Sequence, residues 1–330
     1  MHARPFANEL RVAVAAVREA AALCRSVQSG LGREAMEKKD RSPVTVADFG
    51  SQALVCRALA ESFLTDPVVA EEDSDALRLA ENAPLRARVV SFARRFRTGD
   101  DQEILGWIDH GKPAGASGRF WTLDPIDGTK GFLRNEQYAV ALALIVDGVI
   151  EVAALACPNL PARAVDAAPA GTVFSAVRGQ GAWAVPLDDG DAPPIRVVVS
   201  DRDDALTAQF CESVESGHSA HGESASVAAL LGIVSPPVRL DSQAKYAVVA
   251  RGEADIYLRL PTRADYLEKI WDHAAGALVV TEAGGRVTDV AGLPLDFTRG
   301  HELSSNRGVV VTNGRLHDRV LDALKTVGVG

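Results

Sequence analysis

Apolar and polar positions follow two different periods along this chain, and each change of period marks a new element. Over residues 10–27 the apolar run is interrupted by Arg11, Arg18, Glu19 and Arg25, the pattern of an amphipathic helix and not of a membrane span. Ser42 and Pro43 then precede a helix predicted over 44–63, with Pro43 suited to a helix start. A short strand over 67–70 runs into Glu71, Glu72 and Asp73, and a charged helical segment is expected over 75–96. Residues 120–123 and 138–146 read as strands, and the Asp147-Gly148 turn signal leads into a Val-rich continuation, which predicts antiparallel pairing. Beyond a stretch rich in Pro, Ala and Asp at 159–171, strands over 173–177, 195–200 and 254–258 accompany helices over 225–231, 244–250 and 272–282. The alternation predicts a mixed α/β protein, and composition divides it into an N-terminal unit, 1–165, and a C-terminal unit, 166–330.

Composition narrows the class. With 44 Asp plus Glu against 35 Lys plus Arg the formal charge is -9, which disfavours nucleic-acid partners yet is compatible with a small anionic ligand held in one cleft. Cys24, Cys56, Cys157 and Cys211 never form a Cys-x-x-Cys pair, so neither a zinc knuckle nor a disulfide framework is expected. A reducing compartment is expected, cytoplasmic or another, and a processed organellar form fits as well. No basic segment leads into a clean apolar block near the start, so neither secretion nor membrane insertion is expected.

The densest chemistry lies in Trp121-Thr-Leu-Asp124-Pro-Ile-Asp127-Gly-Thr129, where an apolar strand is followed by two acids, a proline, a glycine and a hydroxyl. Pro125 restricts the turn, Gly128 permits close backbone approach, and the Ile126 carbonyl can point inward beside Asp124 and Asp127. Two carboxylates about 4 Å apart repel by roughly 4 kcal/mol at an effective dielectric of 20, a penalty that a divalent cation reverses. Oxygen donors without a Cys/His cluster suit magnesium better than zinc. From this segment alone, metal-assisted phosphate chemistry and a plain acidic turn stand level. Glu71 at a strand end and Asp272 at a helix start add candidate ligands, against ordinary strand-end and helix-cap acids. Gly179-Gln-Gly181-Ala-Trp-Ala184 superficially matches a dinucleotide-binding glycine pattern, but Pro186 arrives too soon for the required helix, so a hairpin packing Trp183 is expected.

In combination, Ala70-Glu71-Glu72, Asp124-Pro-Ile-Asp127-Gly-Thr129 and Trp271-Asp272 followed by Gly284-Gly285 resemble the lithium-sensitive, magnesium-dependent phosphatase superfamily that includes inositol monophosphatase. Ser42-Pro-Val-Thr-Val-Ala-Asp48, Asp127-Gly-Thr-Lys-Gly-Phe-Leu133, His218-Ser-Ala-His221, Asp241-Ser-Gln-Ala-Lys245-Tyr, Ile256-Tyr-Leu-Arg259 and Glu268-Lys-Ile-Trp-Asp272-His-Ala-Ala resemble its 3'(2'),5'-bisphosphate nucleotidases. The resemblance implies a layered αβαβα sandwich with the site between the halves. It implies two or three Mg2+ ions on Glu71, Asp124, Asp127, Asp272 and the Ile126 carbonyl, with Asp48 and Thr129 orienting or deprotonating the attacking water. Fixed positive charges at Lys245 and Arg259 suit a second phosphate. His218, Ser219, Ser242 and His273 are candidate substrate contacts, with Gly128 and Thr129 beside the phosphate.

The same resemblance implies hydrolysis of adenosine 3',5'-bisphosphate to AMP and phosphate, with the sulfated nucleotide as a further candidate substrate and a place in sulfur metabolism. An inositol polyphosphate 1-phosphatase is the alternative enzyme, and a silent bisphosphate-nucleotide sensor the non-enzymatic one. Two positions depart from the family pattern: Ala70 stands before the paired glutamates where many relatives carry Gly, and Asn135-Glu136 replaces a small glycine pair, placing an acid near the phosphate channel. The expected partner is a small molecule only, and the expected state a monomer, with a dimer also compatible.

Overall fold

Helix α1 (Ala7–Gly30) turns an Ala- and Val-rich stripe onto α2 (Val46–Ser62), and both lie against one face of a large sheet. The structure is a computed structural model that describes residues 5–30, 46–112, 117–161, 171–215, 220–263 and 265–329. Expectations placed on Ser42, Pro43, Val44, Thr45, His218 and Ser219 therefore lie outside the described residues.

Strand β1 (Val68–Ala70) follows α2. The single charged helix expected over 75–96 is instead broken into α3 (Asp75–Arg78), a short 3-10 turn at Ala80–Asn82, and α4 (Ala83–Ala93). Pro84, in the first turn of α4, lacks the N–H that a continuous helix would need there, and its ring would strike the preceding turn. Leu79 accordingly adopts an extended backbone between the pieces, with φ -65° and ψ 142°. A capping box opens α5 (Asp101–Asp109): Asp100 accepts from the Glu103 amide at 2.9 Å, while the Glu103 carboxylate accepts from the Asp100 amide at 2.7 Å.

Next come β2 (Arg119–Asp127), a one-turn helix α6 (Thr129–Leu133), and β3 (Ala139–Val146), β4 (Val149–Cys157), β5 (Thr172–Val177), β6 (Ala182–Pro186) and β7 (Ile195–Val197). They form a seven-stranded sheet in the order β1 to β7, parallel between β1 and β2 and antiparallel elsewhere. The sheet takes strands from both sides of position 165/166, and the chain passes to the second sheet between Val197 and Phe210. Gly179 and Gly181 sit in the β5–β6 hairpin, where their amides donate to the two oxygens of Glu282, each at 2.8 Å.

Strand β8 (Phe210–Glu212), helix α7 (His221–Leu231), β9 (Val238–Arg239), α8 (Ala244–Ala250), β10 (Ile256–Arg259), α9 (Ala274–Glu282), β11 (Arg286–Thr288), β12 (Val309–Thr312) and α10 (His317–Val327) complete the fold. The second sheet has the order β11-β12-β10-β8-β9.

Side-chain alternation sets the layers. On the large sheet Trp121, Leu123, Leu142 and Leu144 pack toward α1 and α2, while Phe120, Ala141, Ala143 and Ile145 face α8 and α9. On the small sheet Tyr257, Val309 and Val311 face those same two helices, and Ile256, Leu258 and Val310 face α7 and α10. The result is an αβαβα sandwich. Its middle helices touch a sheet on each side, which explains why every residue of α8, and Ala274 through Val280 of α9, is buried. All four cysteines are free and buried in these cores.

Candidate active site

The site begins where β1 and β2 end side by side. Their parallel register pairs Ala70 with Leu123, so Glu71, the next residue, emerges level with Asp124. Asp124 and Asp127 are three apart and would project from opposite faces of a regular strand. A bulge decides otherwise: Asp124 lies opposite Ala141 and Asp127 opposite Ala139, so β2 uses three steps where β3 uses two. The extra residue reverses the alternation and turns both acids toward the middle layer, where Ala139 and Ala141 also point. The bulge is secured by Ser51, whose hydroxyl donates to the Pro125 carbonyl at 2.8 Å.

Gly128 then caps α6 with φ 87°, a conformation that disfavours a side chain, and a Cβ there would lie 2.9 Å from the Ser242 Cβ. The tight turn lets the Thr129 hydroxyl donate back to the Ile126 carbonyl at 3.3 Å. From the other half, Ser242, itself in a left-handed conformation with φ 67°, leads into α8. The Gln243 amide donates to Asp127 Oδ2 at 2.5 Å. The side chain of Gln243 donates to the Trp271 carbonyl at 2.8 Å and accepts from the Gly276 amide at 2.9 Å. One residue therefore ties Asp127 to the turn that carries Asp272. Asp272 sits in a 3-10 turn, Ile270–Asp272, and not in the expected first helical turn, since α9 starts two residues later.

These elements enclose a cavity of about 540 Å³. Glu71, Asp124, Ile126, Asp127, Gly128, Thr129 and Asp272 line it, together with Ser242, Lys245, Arg259 and His273, and Lys245 and Arg259 lie close enough to Asp127, and Arg259 to Asp272, to draw those carboxyls down against their burial. Asp48 does not line it. It lies buried in the first turn of α2, close enough to Glu71, Glu72 and Asp124 to raise all three electrostatically. Burial, then Asp272, Glu72, Asp48 and Asp127, push the Glu71 carboxyl up to about 9, even though its surface opens onto the cavity. Burial and the facing Glu71, Asp127 and Asp272 carry Asp124 well above its ordinary value. The Asp124 Oδ1 atom is buried without a hydrogen-bond partner, so an acceptor points at a cluster of acceptors. A hard divalent cation satisfies such an oxygen donor set.

Glu268, Asp272 and His273 form a second candidate metal cluster, with ligand atoms within 4.8 Å of one another. Two of its members are already engaged. Glu268 accepts from His273 Nε2 at 3.1 Å and from Arg259 Nε at 3.2 Å, and the Tyr246 hydroxyl lies 2.7 Å from His273 Nδ1. A carboxylate only accepts, so Nε2 carries a proton and donates to Glu268. Asp272 belongs to both groups of acids.

Lys245 is buried, its ammonium 5.2 Å from the Tyr257 ring and donating to the Leu240 carbonyl at 3.3 Å. Glu136, one of the two departures from the family pattern, pairs with Arg134 at 2.6 Å, and Arg134 also bonds Glu215 and Asp241.

Sequence reasoning assigns no role to Gln52, Gln243, Tyr246 or Glu268. Gln52 is buried, donates to the Glu72 carbonyl at 2.5 Å and accepts from the Glu72 amide at 3.0 Å, holding the turn after β1. Its spacing of four from Asp48 on α2 is the signal that could have found it. Gln243, Tyr246 and Glu268 lie inside quoted motifs, but their partners are distant in sequence.

Comparison with known proteins places this arrangement. The inositol monophosphatase family model matches residues 7–328. A 3'(2'),5'-bisphosphate nucleotidase of Emericella nidulans is 46% identical over 98% of this chain and 99% of its own length. One from Schizosaccharomyces pombe is 44% identical over 98% of this chain and 96% of its own. Among solved structures, an inositol monophosphatase from Zymomonas mobilis superposes with a TM-score of 0.66 at 17% identity, covering 98% of this chain and 100% of that one. An inositol monophosphatase from Anabaena superposes with a TM-score of 0.62 at 20% identity, covering 98% and 97%. The layered fold is shared with the two solved structures, the sequence likeness to the nucleotidases runs over nearly the whole chain, and the chain belongs to the inositol monophosphatase family.

Proposed function

We propose that this protein is a magnesium-dependent phosphomonoester hydrolase that converts adenosine 3',5'-bisphosphate to AMP and phosphate. The observation that carries the reading is one cavity that brings crowded carboxylates at Glu71, Asp124, Asp127 and Asp272 together with cations at Lys245 and Arg259. A metal-dependent phosphatase acting on a substrate with a second phosphate needs both. The nucleotidase relatives, similar over nearly the whole chain, support the substrate class.

Glu71, Asp124, Asp127, Asp272 and the Ile126 carbonyl would hold the magnesium ions, two or three of them. When bound, the metal neutralises the phosphate oxygens and lowers the pKa of attacking water. The remaining work belongs to the chain. Thr129, with its hydroxyl anchored on the Ile126 carbonyl, orients the water, and the Asp48 carboxylate, at the start of α2, accepts its proton. The amide of Gln243 holds Asp127 in register with the half that carries Asp272. Lys245 and Arg259 hold the phosphate that is not cleaved, fixing the nucleotide so that the scissile phosphorus meets the water in line. Gly128 leaves room for the phosphate, Ser242 offers a hydroxyl beside it, and His273 acts from behind through Glu268. Roles for His218 and Ser219 rest on their motif alone.

The test is phosphate release by the purified protein in magnesium from adenosine 3',5'-bisphosphate and from inositol 1,4-bisphosphate. A larger kcat/KM on the nucleotide is expected. A larger value on the inositol substrate makes the protein an inositol polyphosphate phosphatase, and tight nucleotide binding with no phosphate released makes it a sensor.

A further inference from the structure

We infer that Glu268 is a positioning residue for recognition of the second phosphate, acting through Arg259 and braced from behind by His273 and Tyr246. The inference rests on the bisphosphate reading and deepens it. Arg259 closes β10 at the cavity wall, and Glu268 accepts from its Nε at 3.2 Å. With Nε committed to Glu268 and a further bond to the Tyr266 side chain, the terminal N–H groups that remain are the donors left to grip a phosphate. The other Glu268 oxygen accepts from His273 Nε2 at 3.1 Å, and His273 in turn is bonded to the Tyr246 hydroxyl at 2.7 Å.

Glu268, His273 and Tyr246 are nearly inaccessible to solvent, at 6%, 1% and 1%, so each depends on the next for its hydrogen bonds and none can swing away cheaply. The relay of bonds begins on α8, crosses the cap of α9 and ends on β10, so it sets the arginine against two helices of the middle layer. Burial alone would raise Glu268, yet His273 and Arg259 hold its carboxyl down at about 2, so it is ionised wherever the enzyme would be assayed. The segment entering the site is anchored as well: the Leu303 amide donates to the Glu268 carbonyl at 2.8 Å.

A residue that acts through Arg259 has a signature that neither a metal ligand nor a purely structural residue shares. Glu268→Gln is expected to raise KM for adenosine 3',5'-bisphosphate about tenfold with kcat within about twofold, the size of one charge-assisted hydrogen bond. The kcat/KM for adenosine 3'-monophosphate, which lacks the second phosphate, is expected to stay unchanged. Product inhibition gives a readout apart from turnover: AMP, which keeps the second phosphate, should inhibit about tenfold less well, and inorganic phosphate as before. In an Arg259→Met background Glu268→Gln should add less than about twofold. Glu268→Asp, which keeps the charge at shorter reach, should fall between wild type and Gln, and it serves if the Gln variant does not fold.

Equal losses on both nucleotides, additive effects in the double variant, or a raised magnesium requirement in Glu268→Gln would each overturn the inference, the last by making Glu268 a metal ligand. Failure of the wild-type protein to hydrolyse the bisphosphate nucleotide at all would overturn the proposed function instead.

Discussion

Replacing Asp272 by Asn is expected to abolish hydrolysis and, without metal, to make the protein more stable. Burial chiefly, with Asp127 and Glu268 adding to it and Arg259 and His273 opposing, pushes the Asp272 carboxyl up from 3.8 to about 6. The folded state thus binds this proton more tightly than the unfolded chain. The ionised carboxylate opposes folding in full above pH 6, and the penalty fades as pH falls from there toward 3.8. That difference corresponds to roughly 3 kcal/mol at neutral pH. Asn keeps the shape without the charge, but it buries an amide whose own hydrogen bonds must be met, at a cost of about 1–2 kcal/mol, which leaves a net gain of about 1–2 kcal/mol. Urea unfolding of both proteins in chelator at pH 7.5 and pH 5 measures this directly. The variant should be the more stable at pH 7.5, with the gap smaller at pH 5. Added magnesium should raise the wild-type midpoint and raise that of the variant, which keeps Glu71, Asp124 and Asp127, by less. A variant less stable than wild type in chelator at pH 7.5, or a gap that widens toward acid, would refute the claim that burying this carboxylate stores energy for a cation to release.

Asp48→Asn should lower kcat on the order of a hundredfold with inhibition by AMP nearly unchanged, since a general base is lost and no phosphate contact is; equal loss of binding and turnover rejects that division of labour. Gln243→Leu removes two buried side-chain hydrogen bonds and leaves the Trp271 carbonyl and Gly276 amide unpaired, so a loss of about 2–4 kcal/mol is expected in chemical denaturation. The magnesium concentration for half-maximal activity should rise with it. His317, buried between the hydroxyls of Thr288 and Thr312, is driven down to about 4 by burial first and Arg286 second. Its contribution is therefore intact above pH 6.5 and lost as pH falls toward 4, by roughly 3 kcal/mol. His317→Asn should flatten that part of the stability profile relative to wild type, and an unchanged slope counts against the assignment.

Much of this protein can be read along the chain because the interactions concerned are local. The period-2 runs of β3 and β4, the turn between them, and the hairpin at Gly179 and Gly181 all follow from neighbouring residues, and each stands where the pattern puts it. The charged stretch over 75–96 reads as one helix only while propensity is weighed above Pro84, whose missing N–H suits a helix start and not a helix interior. The acids at 71, 124, 127 and 272 are visible as residues, and their motifs point to a family. Their convergence is not local information. It requires the parallel register that sets Glu71 beside Asp124, a bulge that reverses the side-chain parity between Asp124 and Asp127, and Gln243 reaching across both halves to the turn of Asp272. The partners of Gln52 and Glu268 are equally beyond reach, because a buried hydrogen bond is chosen by whatever donor the packed layers bring within 3 Å or so. Local pattern was enough for most of the elements and for the chemical alphabet of the site; packing two sheets around one pair of buried helices decided which of those letters face each other.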